Sequence, residues 1–150
     1  MDKYMKEALK EAKKAFNKGE VPIGAVLVCN DKIIARGYNT KETSKKATAH
    51  AEIIAIEKAC KKIGDWRLSD CALYVTVEPC LMCCGAIIQS RIKKLVYGTK
   101  NDKFGCVESI EEILGNTKHN HHVEIEKKVC AKECQELMRE FFKNNRKMKG

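Results

Sequence analysis

Residues 71–83 read Cys-Ala-Leu-Tyr-Val-Thr-Val-Glu-Pro-Cys-Leu-Met-Cys, and two kinds of backbone meet inside them. Positions 72–77 form an apolar, β-branched and aromatic run, which is a strand pattern. Pro79 breaks that run, and the following residues, about 81–90, read as a helix. Downstream, 94–98 is a further strand, 99–107 has no clear period and reads as a loop, and 108–114 is a short helix ended by Gly115-Asn116. Residues 123–129 alternate like a strand, and 132–146 read as a final helix. Upstream, Thr48 is placed to cap a helix reaching about Lys62, with Ile53, Ile54, Ile56 and Ala59 apolar and Gly64-Asp65 as the turn after it. Residues 23–29 and 33–38 flank Asn30-Asp31-Lys32 and read as a hairpin. Met5, Ala8, Leu9, Ala12 and Phe16 mark an N-terminal amphipathic helix that Gly19 stops. This order calls for an α/β fold, one sheet with helices packed mostly on both faces. No linker, repeat or low-complexity stretch interrupts it, so residues 1–150 are read as a single domain.

The length of 150 residues suits one domain with a sizeable core. The chain has nine cysteines, and an odd number leaves at least one thiol outside any closed disulfide framework. No secretory segment precedes them, and no apolar run approaches the ~18 residues a membrane span needs. A reducing, cytoplasmic compartment is therefore expected, with cysteines acting as core fillers, metal ligands or nucleophiles. Lys and Arg total 29 against 20 Asp and Glu, a net charge of +9. That excess fits an acidic partner such as nucleic acid, or simply a solvated basic surface.

The chemistry concentrates in two short blocks, His50-Ala51-Glu52 and Pro79-Cys80-Leu81-Met82-Cys83. Cys80 and Cys83, at i and i+3, lie on one side of a helix start, where the positive end of the helix favours thiolates. His50 supplies a third ligand. Three protein ligands and one open position describe a catalytic zinc site rather than a structural one. Water bound there has a pKa lowered to about 7. Glu52 points elsewhere on its helix and is free to take a proton from that water. A C-x-x-C alone also describes redox pairs and structural zinc knuckles. The full H-x-E…P-C-x-x-C pattern resembles the signature of zinc nucleobase deaminases.

The remaining candidates have plainer readings. Cys84 falls off the ligand face and reads as core filler, while Cys29, Cys60, Cys71, Cys106, Cys130 and Cys134 lack ligand spacing. His119-Asn120-His121-His122 reads as a loop with one packed histidine rather than a metal tract, and Trp66 as a core anchor rather than a stacking platform.

The chain resembles the tRNA-specific adenosine deaminases within the cytidine-deaminase-like superfamily. The likeness spans nearly its whole length, through Gly19-Glu20-Val21-Pro22-Ile23-Gly24-Ala25-Val26, Asn39, Thr48-Ala49-His50-Ala51-Glu52, Trp66-Arg67-Leu68, Leu73 to Cys80, Met82-Cys83, Ser90-Arg91-Ile92 and Phe141-Phe142. The resemblance implies a three-layer α/β/α fold on a central mixed five-stranded sheet. It also implies conversion of adenosine to inosine at the wobble position of a tRNA anticodon, in bacteria mainly an arginine tRNA, by a homodimer with one zinc per subunit. His50, Cys80 and Cys83 would hold zinc, and Glu52 would carry a proton from water to the ring nitrogen and then to departing ammonia. Asn39 resembles the asparagine that hydrogen-bonds the flipped purine, and Val21, Pro22 and Ala49 fall in the base-pocket blocks. Asn101, Phe141, Phe142 and Arg146 are the remaining expected substrate contacts, toward the anticodon stem-loop.

Asn101 stands where the bacterial family usually carries an aspartate, a position that a one-residue shift gives to Asp102 instead; Lys46-Ala47 replaces an acidic-proline pair, and Val107-Glu108 replaces a small pair. These departures bear on substrate contacts rather than on the chemistry. An asparagine at 101 is expected to lower repulsion toward phosphate and relax the preference for a 2′-hydroxyl. Three rival readings remain at this level: deamination of a free base or nucleotide, a non-catalytic RNA-binding subunit, and a structural zinc module. Glu52 argues against the second, and the missing fourth ligand against the third.

Overall fold

The computed structural model describes residues 2–149, with side chains through residue 145. Its elements run α1 (Asp2–Asn17), β1 (Gly24–Cys29), β2 (Lys32–Tyr38), α2 (Lys41–Ser44), α3 (Ala51–Ile63), β3 (Cys71–Val77), α4 (Leu81–Gln89), β4 (Lys94–Thr99), β5 (Glu124–Glu126) and α5 (Ala131–Lys149). The sheet order is β2-β1-β3-β4-β5. β1 is antiparallel to both β2 and β3, whereas β3, β4 and β5 run parallel, so the five-stranded sheet is mixed. The β1–β2 hairpin closes through Asn30 and Asp31 at φ +53° and +60°, the twisted two-residue turn that matches strand twist.

Strand alternation divides the core. Ala25, Leu27, Leu73, Val75, Leu95 and Tyr97 face α3 and α4, which add Ala51, Ala55, Ile56, Ala59, Cys84 and Ile87. Val26, Val28, Tyr74 and Val96 point the other way, against Met5, Ala8 and Leu9 of α1 and Cys134 of α5. The result is the expected α/β/α sandwich. Helix α3 lies so close to β2 that a Cβ on Gly37 would sit 2.5 Å from the Ala51 carbonyl. Among the described residues no helix is long and apolar enough to cross a membrane.

Four local expectations change. Helix α3 is capped by His50 rather than Thr48, and the short helix α2 precedes it. Residues 108–114 turn without forming a helix, because the Ile110 and Ile113 N–H groups donate back to the Gly105 and Cys106 carbonyls rather than to the carbonyl four positions before each. The strand expected over 123–129 shrinks to Glu124–Glu126, and Lys128 at φ +66° and Cys130 at φ +54° end it. Trp66 is 51% exposed, while Leu68 takes the core position beside it.

Candidate active site

Both sequence blocks enter the site by the same local device, an extended cap residue followed by the first turn of a helix. His50 (φ −84°, ψ 151°) caps α3 and Cys80 (φ −76°, ψ 178°) caps α4, with Glu52 and Cys83 in the turns that follow. Cys80 comes just after the carboxyl end of β3, the end of a parallel strand where α/β sheets place their sites. His50 Nδ1 lies 3.5 Å from Cys80 Sγ and 3.6 Å from Cys83 Sγ. The three donor atoms all lie within 4.8 Å of one another, and this is the only such group among the described residues. One imidazole nitrogen and two sulfurs fit a borderline-soft cation such as zinc, and three protein donors leave a position open. Two helix N-termini point at the same spot, which favours thiolates and oxyanions there.

Titration behaviour follows from this crowding. The Cys83 thiol and then the His50 imidazole hold Cys80 down at about 4, against the opposing effect of burial. Cys83, donating to Cys80 and buried, is pushed far up, so the two sulfurs share one proton. The bond to Cys80 raises His50. Glu52 is only 3% exposed. Burial first, then the Cys80 charge, raise its carboxyl to about 7, while its own backbone N–H, His50 and the Cys83 thiol pull the other way. A carboxyl poised near neutrality both accepts and returns a proton.

Backbone bonds gather the walls. Asn39 N–H donates to the Ile23 carbonyl at 3.1 Å, and Thr40 N–H to the Ala49 carbonyl at 3.0 Å. Asn39 thereby sits between the turn at Val21-Pro22-Ile23 and the residue preceding His50. Asn39 is 7% exposed, and its Oδ1 is buried without a hydrogen-bond partner. A buried amide oxygen left unpaired costs about 1–3 kcal/mol unless a ligand satisfies it. Glu20 fixes the neighbouring α2 by accepting the N–H groups of Glu42 at 3.1 Å and Thr43 at 2.6 Å, and the Thr43 hydroxyl at 2.6 Å.

Opposite, the Glu78 carboxylate accepts the N–H groups of Asn101, Val107, Glu108 and Ser109 at 2.7–3.0 Å and the Ser109 hydroxyl at 2.5 Å. It thereby ties loop 101–109 over Cys80, which bridges to Gly105. A Cβ on Gly105 would collide with this carboxylate. Asn101 Oδ1 accepts the N–H groups of Lys103 and Phe104 at 3.2 Å, a local turn cap.

The MafB19-like deaminase family model matches residues 1–146. The tRNA-specific adenosine deaminase of Bacillus subtilis is 50% identical over 146 residues, covering 97% of this chain and 91% of that one. The chain belongs to the tRNA-specific adenosine deaminase family. The Aquifex aeolicus member is 45% identical, covering 95% of this chain and 94% of its own. A solved structure from a study of A-to-I editing by deaminases at the wobble position of transfer RNA superposes with a TM-score of 0.88. It is 40% identical and covers 91% of this chain and 99% of that one.

Other expected residues of this tRNA-specific adenosine deaminase family member divide by position. Phe141 is buried and meets Phe16 edge-on at 6.1 Å, locking α5 to α1. Phe142 packs against Phe141 at 5.3 Å and remains 44% exposed. The Arg146 side chain lies outside the described residues. Cys84 is fully buried, as expected of a core filler. His121 Nε2 meets the Ile92 carbonyl at 2.6 Å, so one histidine of the 119–122 tract packs as expected. Sequence reasoning gave no role to Glu20 or Glu78. A single acidic residue flanking a motif was the only signal, because their partners lie 22 to 31 positions away.

Proposed function

We propose that this chain hydrolyses the exocyclic amine of adenosine at the wobble position of a tRNA anticodon, giving inosine and ammonia. The carrying observation is the buried Glu52 carboxyl beside the His50, Cys80 and Cys83 donors. When bound, one zinc per subunit supplies a Lewis acid that lowers the pKa of water to about 7. Glu52 accepts the proton of the attacking water on a carboxylate oxygen. It delivers that proton to the purine ring nitrogen, then takes the proton of the new C6 hydroxyl and passes it to the departing amine as the C6–N bond breaks, so that adenosine and water yield inosine and ammonia. Asn39 Oδ1, buried and unpaired, accepts a hydrogen bond from the flipped purine, and Val21, Pro22 and Ala49 wall the pocket.

Base extraction costs a few kcal/mol and is least costly where the loop is already splayed, which favours an anticodon loop. Asn101 and Phe142 face the stem-loop in this proposal, Phe141 sets the helix that carries Phe142, and Arg146 is assigned as a further stem-loop contact. The net charge of +9 supports a phosphate-rich partner. The proposal includes an arginine tRNA as substrate, a homodimer as the active form and the cytoplasm as the compartment. Incubating zinc-loaded protein with an adenosine-bearing anticodon stem-loop and, separately, with free purines and nucleosides tests it. Inosine in the RNA alone is expected; turnover of a free base without the RNA would overturn the assignment.

A further inference from the structure

The zinc ligands take two of nine cysteines, and a second pair of thiols meets at the other end of the sheet. Cys29 closes β1, Cys71 opens β3, and the two stand directly opposite in the antiparallel ladder. Cys71 N–H donates to the Leu68 carbonyl at 3.0 Å. Its donor is therefore committed away from Cys29, and the two residues form a non-hydrogen-bonded pair. At such positions opposed Cα atoms approach to ~4.5 Å and the side chains are at their closest. A disulfide accepts Cα separations of ~4.4–6.8 Å. Both side chains share the sheet face of Leu27 and Leu73, and both are free thiols. Cys71 is buried, whereas Cys29 is half-buried at the strand end.

We propose that Cys29 and Cys71 form a redox dithiol that closes into a cross-strand disulfide when a hydroperoxide oxidises Cys29. In the first step the Cys29 sulfur attacks the peroxide O–O bond, giving a sulfenic acid and releasing the alcohol, or water from hydrogen peroxide. In the second, Cys71 attacks that sulfur, the S–O bond breaks, water leaves, and the S–S bond forms. The two thiols lose two electrons and two hydrogens in total, and the peroxide takes them up. Burial and the adjacent Cys29 push the Cys71 thiol up to about 12, so closure is slow at neutral pH and accelerates as pH rises. The bridge joins strand ends remote from Cys80, which follows the far end of β3. Deaminase turnover is therefore expected to survive it.

The test treats zinc-loaded protein with equimolar hydrogen peroxide at pH 7 and pH 9, blocks free thiols with N-ethylmaleimide, and maps cross-linked peptides by mass spectrometry. A Cys29–Cys71 peptide pair forming faster at pH 9, reversed by dithiothreitol and absent in Cys29→Ser and in Cys71→Ser, is the expected result. A Cys29 that proceeds to sulfinic acid unlinked, or that joins the half-buried Cys60 instead, would overturn the proposal. So would an intact, unoxidised pair at both pH values.

Discussion

Glu52, in the first turn of α3, and Glu78, between β3 and α4, are both buried carboxyls beside the His50, Cys80 and Cys83 donors, and their environments push them in opposite directions. Burial raises both. Glu78 nevertheless falls below its ordinary value, because Glu108, Ser109 and Asn101 groups donate to its oxygens and outweigh that cost. Glu52 has no comparable set of donors and rises to about 7. Burial alone does not mark a catalytic acid. What separates the two is whether the fold has already satisfied the charge. The satisfied carboxylate builds the wall, and the unsatisfied one is left for chemistry.

The largest expected effect erases the comparison by removing what both residues surround. Cys83→Ala deletes one of three donors, and metal analysis of the purified protein should show zinc lost and inosine formation abolished. Retained zinc at wild-type activity would remove Cys83 from the ligand set. Glu78→Gln comes next. Its amide cannot accept from all five donors, and stranding buried N–H groups costs about 1–3 kcal/mol each. Several such groups find water, so a Tm drop of roughly 5–10 °C is expected for a domain of this size. KM for the stem-loop should rise more than kcat falls, and amide exchange should quicken across residues 101–109. An unchanged Tm would show that the loop does not depend on this carboxylate.

Acid titration gives a smaller, graded effect. Glu20 is lowered by Thr43 and Glu42 bonds that outweigh its burial, and Glu78 is lowered likewise, both from an ordinary 4.5. A folded-state pKa below the unfolded one adds stability above about pH 4.5 and loses it as pH falls through the folded value. Urea midpoints should therefore drop steeply below about pH 4.5. The Glu20→Gln slope should be shallower than wild type, and an identical slope would contradict the assignment. The smallest effect is that of Asn101→Asp. Either residue can cap the turn to Lys103 and Phe104, so Tm should hold while the added charge alone is read. A matched DNA hairpin should be deaminated less than by wild type; equal rates would remove the proposed role of charge at this position.

Much of this was legible in the residues themselves. The sandwich follows from apolar runs at 72–77 and 94–98 and from the amphipathic spacing of Met5, Ala8 and Leu9, all local patterns. The grouping of the His50, Cys80 and Cys83 donors follows because they occupy two compact blocks. Glu20 and Glu78 were not legible, since a carboxylate's donors are chosen by the fold and lie far along the chain. Long-reaching backbone bonds explain why 108–114 is not helical despite its pattern: the Ile110 and Ile113 N–H groups find the Gly105 and Cys106 carbonyls instead of forming a helical ladder. Trp66 was misread because its size suggested the core. In the structure Arg67 and Arg91 stack over its exposed ring at 4.6 and 5.8 Å.

The claim that an unsatisfied buried carboxyl performs the proton transfer is tested most directly by Glu52→Gln. Zinc content and single-turnover inosine formation on an anticodon stem-loop should be measured on the same sample. Zinc retained with a rate lower by about 10²–10⁴-fold is predicted. Zinc retained with a wild-type rate would contradict the account.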